Sequence, residues 1–429
     1  MNFDNFQRHS IPKLSIIFIP IYFLFESFSG YMFDKNGIVS YIFGAFWVLY
    51  FIFMHFKIGI SKHNMPIIIF LLYLLFKVTM SSDILNSINQ YATLFISLSI
   101  FSIAFKYFNN FNALKIITRI SFCFLFFYFI NLIVSNLFLE SSYSGYLKDS
   151  QNVWNTGNIF TTGLNSVAFL CIATPIILPF INTKKFKIIY IILLILGIIS
   201  VIVSFKRISI LSIPLGYLII LLINKNLFAN FRNMILILSV VVLSFPLYSD
   251  IINQQFEARK KTFSRGFQNE SRYVETILVW SRAISFKSIN ESLFGTEMFN
   301  SVNNYGLTID KKRMIHVDYN QILHGSGFLG LALYLYIHIY LIKKMLLYTR
   351  DQIYRNKILS NCSNDIYKYI IYSPSVFYSF VIISLFLSLA GGFHLVLFNS
   401  IKYLFLGSIL GIWHNLYINK QILLESFEN

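Results

Sequence analysis

The chain has 429 residues, of which 56% are hydrophobic, 18% aromatic and only 12% charged, and its mean hydropathy is +0.64. Soluble proteins carry about 25% charged residues, so this composition excludes an ordinary soluble enzyme. The formal net charge of +17 would also suit a nucleic-acid-binding protein. The basic residues, however, lie in short segments between apolar runs, as membrane topology signals do, and we predict no nucleic-acid partner.

Long apolar runs recur along the chain and are typical of membrane-spanning helices. Most approach the length of about 20 residues that crosses the hydrocarbon core of a bilayer. We therefore predict an all-α polytopic integral membrane protein of about twelve transmembrane helices, forming a single membrane domain over residues 1–429. In chain order, the predicted spans are 12–28, 38–56, 66–80, 91–105, 116–139, 163–181, 188–203, 208–223, 234–248, 321–342, 373–392 and 395–413.

Basic residues fill every second loop between these spans. Loops rich in lysine and arginine face the cytoplasm, so we predict that both termini are cytoplasmic and that the long hydrophilic loop 249–320 lies outside. The residues that give this alternation are Arg8, Lys13, Lys57, Lys62, Lys106, Lys115, Lys184, Lys185, Lys187, Lys225, Arg232, Lys343, Lys344, Arg350, Arg355, Lys357, Lys368 and Lys420.

The loop 249–320 is much longer than the roughly 12–15 residues beyond which loops are usually functional or disordered. Its aromatic content indicates that it folds, and the spacing of its apolar residues predicts an amphipathic helix over Arg272–Ile289 on the outer leaflet. The surplus of bases in the loop would attract a pyrophosphate or an acidic glycan. Attraction to anionic lipid explains most of them equally well. We single out Arg272 and Arg313 as candidate substrate contacts, the latter because it is near His316.

Arg207 lies at the outer end of a predicted span, in a very short loop, against the positive-inside tendency. It also precedes a helix start, where the helix dipole disfavours a cation. An anion beside Arg207 would offset both of these unfavourable effects, so they indicate an anionic partner. Lys206, Arg207 and the free N–H groups of that helix start would together form a phosphate site. The alternative is that these bases reach towards lipid headgroups.

The stretch His316–Gly330 joins the long loop to the next apolar run. On a helix, Gly327 and Gly330 share a face with His316, and glycines let a neighbouring helix approach closely. Imidazole suits the removal of a hydroxyl proton near neutral pH, which makes His316 the candidate general base, although a lone interfacial histidine is more often structural. Asp318 is a candidate substrate contact, but on a helix it would point away from His316.

Two short motifs resemble the O-antigen ligase and polymerase superfamily. One is R-x3-L at Arg207–Leu211, and the other is His316 followed by Gly327-x-x-Gly330. Ligases usually have Asn, Ser or Gln after the histidine, whereas this chain has Val317. The sequences KRxSIL and HxDYxxIL resemble the polymerases more closely.

The resemblance implies glycosyl transfer from an undecaprenyl-pyrophosphate donor on the periplasmic face of the bacterial inner membrane. Arg207 would bind the donor diphosphate, His316 would deprotonate or orient the acceptor hydroxyl, and Arg272 would be a second phosphate or glycan contact. The donor carries its own pyrophosphate leaving group, so the expected enzyme needs no metal and no cofactor. Its partners would be the lipid-linked donor and acceptor and membrane lipids, with a chain-length regulator as a further candidate.

Three alternatives remain open at this stage. A ligase would use the same donor but transfer the glycan to lipid A core. A flippase or other transporter of lipid-linked oligosaccharide would place charges or broken helices at the midplane of the membrane. A non-enzymatic assembly protein would tolerate replacement of His316.

Overall fold

The computed structural model describes residues 17–23, 38–59, 61–137, 160–203, 207–224, 271–299, 317–390 and 399–420, with shorter pieces at 239, 242–243, 245–247, 249–250, 253, 257 and 315. All regular structure in these residues is helical, which confirms the all-α prediction for this part of the chain. Residues 17–23 form a helical segment. The helices that follow are α1 Ile38–Ile58, α2 Met65–Thr79, α3 Ile84–Tyr107, α4 Phe111–Leu137, α5 Phe160–Ile177, α6 Lys184–Val203, α7 Arg207–Ile223, α8 Ser271–Ile284, α9 Ile289–Phe294, α10 Asp318–Thr349, α11 Gln352–Asn361, α12 Asn364–Ala390 and α13 Ser400–Ile418.

The apolar helices agree closely with the predicted spans. Ten of those spans each overlap one helix, namely α1 to α7, α10, α12 and α13. Within the described ranges, 5 helices are long and apolar enough to cross a membrane, which are α3, α4, α6, α10 and α12. The predicted span 234–248 falls mostly outside the described residues, and the total of twelve spans remains a prediction.

The centre of the bundle is the contact between α3 and α13, where glycines allow two helices to touch backbone to backbone. A Cβ atom added at Gly407 or Gly411 would meet the carbonyl oxygen of Phe101 or Phe105, respectively. Ser408 donates a hydrogen bond to the carbonyl oxygen of Phe108 over 2.7 Å. Small and hydroxyl side chains are the usual material of such contacts in a membrane, where helices cannot associate by the hydrophobic effect.

Prolines inside the apolar helices leave carbonyl groups without their helical donor, and neighbouring side chains supply one. Pro175 of α5 cannot donate to Cys171, whose carbonyl oxygen instead accepts a hydrogen bond of 2.8 Å from the Tyr217 hydroxyl of α7. Pro374 of α12 likewise cannot donate to the carbonyl oxygen of Ile370, which instead accepts a hydrogen bond of 3.4 Å from Arg355 of α11. These bonds fix how α5 packs on α7 and α11 on α12.

Helix α10 breaks sharply at Gly327, where φ is 65° and ψ is −167°. The break divides it into a first arm, 318–326, and a second arm, 328–349. A Cβ atom at Gly327 would meet the backbone of Leu293 and Gly295 at the end of α9. The continuous helix expected over His316–Gly330 is therefore wrong at Gly327, because the chain turns there through a conformation that only glycine adopts readily.

The two arms of α10 fold back on each other. On a continuous helix, Asp318 and Tyr334 would lie about 24 Å apart. Both instead reach the Ser388 hydroxyl of α12, which donates to Asp318 Oδ2 over 3.0 Å and lies 2.9 Å from the Tyr334 hydroxyl. The start of α10 is thereby carried back into the bundle, against α12 and α13.

Several loops that the positive-inside rule assigns to one side lie together at one end of the bundle. Lys106 donates to the Ile58 carbonyl oxygen over 2.8 Å, and the Tyr340 hydroxyl donates to that of Lys62 over 2.6 Å. Lys420 and Asp351 form an ion pair at the same end. The segments near Lys62, Lys106, Asp351 and Lys420 thus lie together at one end of the described bundle, and the alternation of the remaining basic loops stays a prediction.

Candidate functional site

The predicted site residues differ in what the structure describes. Lys206, Arg313 and His316 lie outside the described residues. Arg207 is the first residue of α7 and Arg272 the second residue of α8, and only the backbone of these two is described. Asp318, Gly327 and Gly330 of α10 are described in full.

Helix α8 covers most of the predicted amphipathic segment and ends at Ile284. Its buried side carries Glu275, Val279 and Ala283, at 3%, 4% and 8% exposure. On its other sides Tyr273 and Ile277 are 40% and 49% exposed. A helix with one apolar face covered by protein and another left open suits a position between the bundle and a membrane surface.

Polar contacts hold α8 against the start of α10. Glu275 Oε1 accepts hydrogen bonds from the Val317 backbone N–H over 3.3 Å and from Asn320 Nδ2 over 3.4 Å. The Trp280 indole donates to Asn320 Oδ1 over 3.1 Å. Arg272 lies one helical turn before Glu275, and the residue before Val317 is His316. The helix that carries Arg272 is therefore fixed against the segment that leads from His316 into α10.

Asp318 is fully buried, with 0% exposure. Its carboxylate accepts the hydrogen bond from Ser388 described above, and its charge interacts electrostatically with that of Lys402 in α13. The sequence predicts a substrate contact for Asp318. The buried carboxylate lies among the helices around it, and its contact with a substrate stays a prediction.

Lys402 is a residue of this region that the sequence analysis missed. Its exposure is 0%, and its ammonium group lies 4.2 Å from the centre of the Tyr403 ring. The signal was present, because a lysine inside an apolar run at membrane depth is by default a functional candidate. Lys402 lies within the predicted span 395–413, so the reasoning that selects Arg207 as a candidate selects it as well.

The start of α7 is connected to the start of α13 through one turn of α5. Ser209, one residue beyond Ile208 in α7, donates to Asn165 Oδ1 over 2.9 Å. The next residue of α5, Ser166, accepts a 3.0 Å hydrogen bond from Asn399 Nδ2. Asn399 is the N-cap of α13, and its Oδ1 accepts from the Lys402 backbone N–H over 2.9 Å.

The starts of α7 and α13 are thus joined by hydrogen bonds through α5, and α10 packs against α13. Helix starts present free N–H groups, which together with arginine and lysine side chains bind anions well. These hydrogen bonds connect the first turn of α7, which begins at Arg207, to the start of α13. No group of three or more His, Cys, Asp or Glu side chains suitable for a metal occurs in the described part of the chain.

Gly330 and the turn at Gly327 are enclosed by other helices. The Tyr73 hydroxyl of α2 donates to the Ser326 carbonyl oxygen over 2.7 Å, and a Cβ atom at Gly330 would meet Ser326 and the Tyr73 ring. Lys77, at 5% exposure, donates from Nζ to the Gly295 carbonyl oxygen over 3.4 Å. The turn is therefore held by α2 on one side and by the end of α9 on the other.

No family model, no curated protein and no solved structure matches this chain. Inferences about its function therefore depend on its motifs and on the geometry given above.

Proposed function

We propose that this chain is a polymerase of O-antigen or of a related polysaccharide, acting at the periplasmic face of the bacterial inner membrane. It transfers an undecaprenyl-pyrophosphate-linked glycan onto the non-reducing end of another lipid-linked repeat unit. The observation that carries the proposal is the position of its two motifs. R-x3-L opens α7, whose first turn is connected to the start of α13 by hydrogen bonds through α5. The histidine motif precedes α10, which packs against α13.

In the proposed reaction, an acceptor hydroxyl attacks the anomeric carbon of the donor. His316 removes the hydroxyl proton, the new glycosidic bond forms, and the bond from the anomeric carbon to the pyrophosphate oxygen breaks. Arg207 and Lys206 stabilise the negative charge that develops on the leaving undecaprenyl pyrophosphate. Arg272, held near the His316 segment by Glu275, is the proposed second phosphate or glycan contact. Direct displacement predicts inversion at the anomeric carbon.

Two alternatives use the same lipid-linked glycan. The ligase is disfavoured by Val317, where ligases usually have a polar residue after the histidine. The flippase gains support from the break at Gly327 and from the buried charges of Asp318 and Lys402, because transporters often contain broken helices and charges at membrane depth. A test must therefore separate transfer between lipid carriers from transfer to core and from transport.

The lipopolysaccharide ladder of a strain that lacks the gene separates these functions. A polymerase deletion leaves lipid A core bearing a single repeat, because the first unit still crosses the membrane and is still ligated. Loss of every repeat would contradict polymerisation and indicate a ligase or a flippase.

Complementation then tests the two proposed residues. We expect wild type to restore the full ladder and Arg207→Ala and His316→Ala to give core plus one repeat at normal membrane levels of protein. Lys184→Ala, an exposed base at the start of α6, serves as the control and should restore the full ladder. Full ladders from both site variants would overturn the assignment of these residues and favour a non-enzymatic assembly protein.

A further inference from the structure

The corner between α8 and α9 leaves several large apolar side chains exposed. They are Ile284 at the end of α8, Phe286 in the connection, and Ile289 and Leu293 in α9. Exposed apolar groups that cluster on a surface mark a site of interaction with a protein or a membrane. The functions proposed above do not use this surface, which we call the apolar corner, residues 284–293.

Phe286 holds a backbone conformation that a phenylalanine does not favour. Its φ is 46°, in the left-handed region, and it lies two residues beyond the last residue of α8. Glycine is the usual residue at such a helix end, because it adopts this region without strain. A strained residue that persists on a surface indicates a role for its side chain. The exposed ring of Phe286 therefore needs an explanation that its backbone does not supply.

The Phe286 ring is stacked on Phe328, with the ring centres 5.9 Å apart. Phe328 is the first residue of the second arm of α10, and its neighbour Leu329 is exposed. The end of α9 also packs against the backbone of Gly327. The apolar corner is therefore continuous with the exposed apolar surface of α10, a helix long and apolar enough to cross a membrane.

The second arm of α10 sets the depth of this contact. Lys343 and Lys344 end its run without lysine, arginine or acidic residues, and such charges lie at the edge of the hydrocarbon layer. Phe328 precedes Lys344 by 16 residues, which is about 24 Å along the helix. Because the hydrocarbon layer is about 30 Å thick, Phe328 lies about 6 Å inside its opposite edge. The ring of Phe286 beside it is therefore at the depth of acyl chains, and any tilt of the arm places it deeper.

Helix α2, which packs beside the second arm, is short as well. Its 15 residues span about 22 Å. The carbonyl oxygen of Lys62, just before α2, accepts a hydrogen bond from Tyr340 near the far end of the arm. At the end of α2, Lys77 donates to the carbonyl oxygen of Gly295 after α9. The apolar corner thus lies over the ends of two helices that are shorter than the hydrocarbon layer is thick.

We propose that the apolar corner inserts into the acyl chains of the membrane leaflet at this end of the bundle, with Phe286 as its main anchor. Its partner is bilayer phospholipid. The charged groups of Arg282 and Lys287, which flank the ring, reach the headgroup layer. The inference goes beyond the proposed polymerase function and does not depend on it, since a ligase or a transporter would be anchored in the same way.

Spin labels on single cysteines measure the depth of the corner in the full-length chain. The labels are attached at Ile289→Cys and Leu293→Cys, after replacement of the native cysteines, in vesicles of phosphatidylethanolamine and phosphatidylglycerol. We expect both labels to collide more often with oxygen, which dissolves among acyl chains, than with a water-soluble nickel chelate. The references are Ile339→Cys, exposed on the second arm, which should behave in the same way, and Asn182→Cys, exposed before α6, which should collide more often with the nickel chelate.

Phe286→Asn then tests the anchor, because asparagine tolerates a positive φ and preserves the end of α8. Removal of a phenyl ring from water shifts an equilibrium about tenfold or more, so we expect the nickel chelate to reach the label at Ile289→Cys at least about twofold more often in this variant. Phe56→Asn is the matched control, since it removes an exposed phenylalanine of α1. It should leave the collision rates of that label unchanged.

Three results would overturn the proposal. Labels in α9 that collide mainly with the nickel chelate would place the corner in water. Low collision rates with both reagents would show that protein, such as a second copy of the chain, covers it. Unchanged rates in Phe286→Asn would remove the role of the ring. The vesicles contain no polyprenyl lipid, so frequent collision with oxygen would identify phospholipid as the partner.

Discussion

Two lysine side chains are buried in the part of the chain that the structure describes. Lys402 and Lys77 have exposures of 0% and 5%, and each is held by groups from another helix. Lysine is almost never buried without a partner, because its ammonium group loses hydration that only charges or carbonyl oxygens replace. Lys402 faces the start of α10, and Lys77 holds the end of α9 beside the turn at Gly327. Both therefore stabilise the unusual path of the chain into α10.

His63 is a titratable side chain at the basic end, between α1 and α2. Its ring is stacked at 4.8 Å on Phe105 and lies 4.2 Å from the ring of His414, and its Nδ1 is 3.3 Å from the Tyr348 hydroxyl. Burial lowers the pKa of His63 below its usual value of 6.5, and the nearby charge of Lys344 lowers it further.

This lowered pKa predicts acid sensitivity of the folded state. Above the unfolded pKa of 6.5 the imidazole is neutral in both states, so His63 adds no pH dependence. As the pH falls below that value, the unfolded chain takes up the proton first, and stability decreases. We expect the detergent-solubilised protein to melt at a lower temperature at pH 5.5 than at pH 7.5, and His63→Gln to reduce this difference. An equal pH dependence in His63→Gln would show that other groups cause it.

At the scale of the helices, the break in α10 is the feature that most affects the site. It brings the start of α10 back against α12 and α13, and it depends on backbone contact between Gly327 and the end of α9. Without the break, Asp318 and Tyr334 would not both reach the Ser388 hydroxyl of α12. The turn at Gly327 thus connects the long apolar second arm of α10 to its first arm, which carries Asp318.

Three glycine-to-alanine substitutions separate the effect of a positive φ from the effect of close backbone contact at Gly327. Gly44 has no atom within 4 Å of an added Cβ, and Gly59 has the same free space but a φ of +71°. Gly327 combines a φ of +65° with backbone contacts. We expect little change in melting temperature for Gly44→Ala, a loss of about 1–2 kcal/mol for Gly59→Ala, and a larger loss for Gly327→Ala. Equal effects of Gly327→Ala and Gly44→Ala would contradict the turn.

Sequence patterns predict ten of the apolar helices but not the turn at Gly327. Apolar runs of membrane-spanning length are a local property, so ten predicted spans coincide with observed helices. In His316–Gly330, glycines at Gly327 and Gly330 suit either a packing face or a break. The helix breaks at Gly327 because the end of α9 packs against it, and the local sequence pattern contains no information about that distant contact.

The candidate site was predictable to a similar, limited extent. Arg207 conflicts with two local rules and could be identified from the sequence alone. In the sequence, Asp318 is a polar residue at the start of a predicted helix. Its burial becomes visible only when α10 is packed against its neighbouring helices. Its partner Lys402 is distant along the chain, so no spacing rule connects the two.

At the scale of the whole molecule, several of the basic loops lie together at one end of the described bundle. Helix α9 and the turn at Gly327 lie near the other end of α2, where Lys77 contacts Gly295. The positive-inside rule places the basic end in the cytoplasm. With that orientation, the proposed site would face the periplasm, where the proposed function assembles lipid-linked repeat units.

Thiol labelling in cells tests this orientation. In a variant whose native cysteines Cys123, Cys171 and Cys362 are replaced, single cysteines are introduced at the exposed positions Asn182 and Lys287. We expect a membrane-impermeant reagent to label position 287, before α9, and to label position 182 only after the inner membrane is opened. Labelling of position 182 in intact cells would contradict the predicted orientation.

Reconstitution of the purified chain in liposomes with undecaprenyl-pyrophosphate-linked repeat units tests the proposed polymerase most directly. The proposal predicts lipid-linked chains of more than one repeat, joined with inverted anomeric configuration, and release of undecaprenyl pyrophosphate. Both Arg207→Ala and His316→Ala should abolish elongation, whereas Lys184→Ala should not. Wild-type protein that leaves the repeat units unextended, and instead transfers them to lipid A core or moves them across the bilayer, would contradict the proposed function.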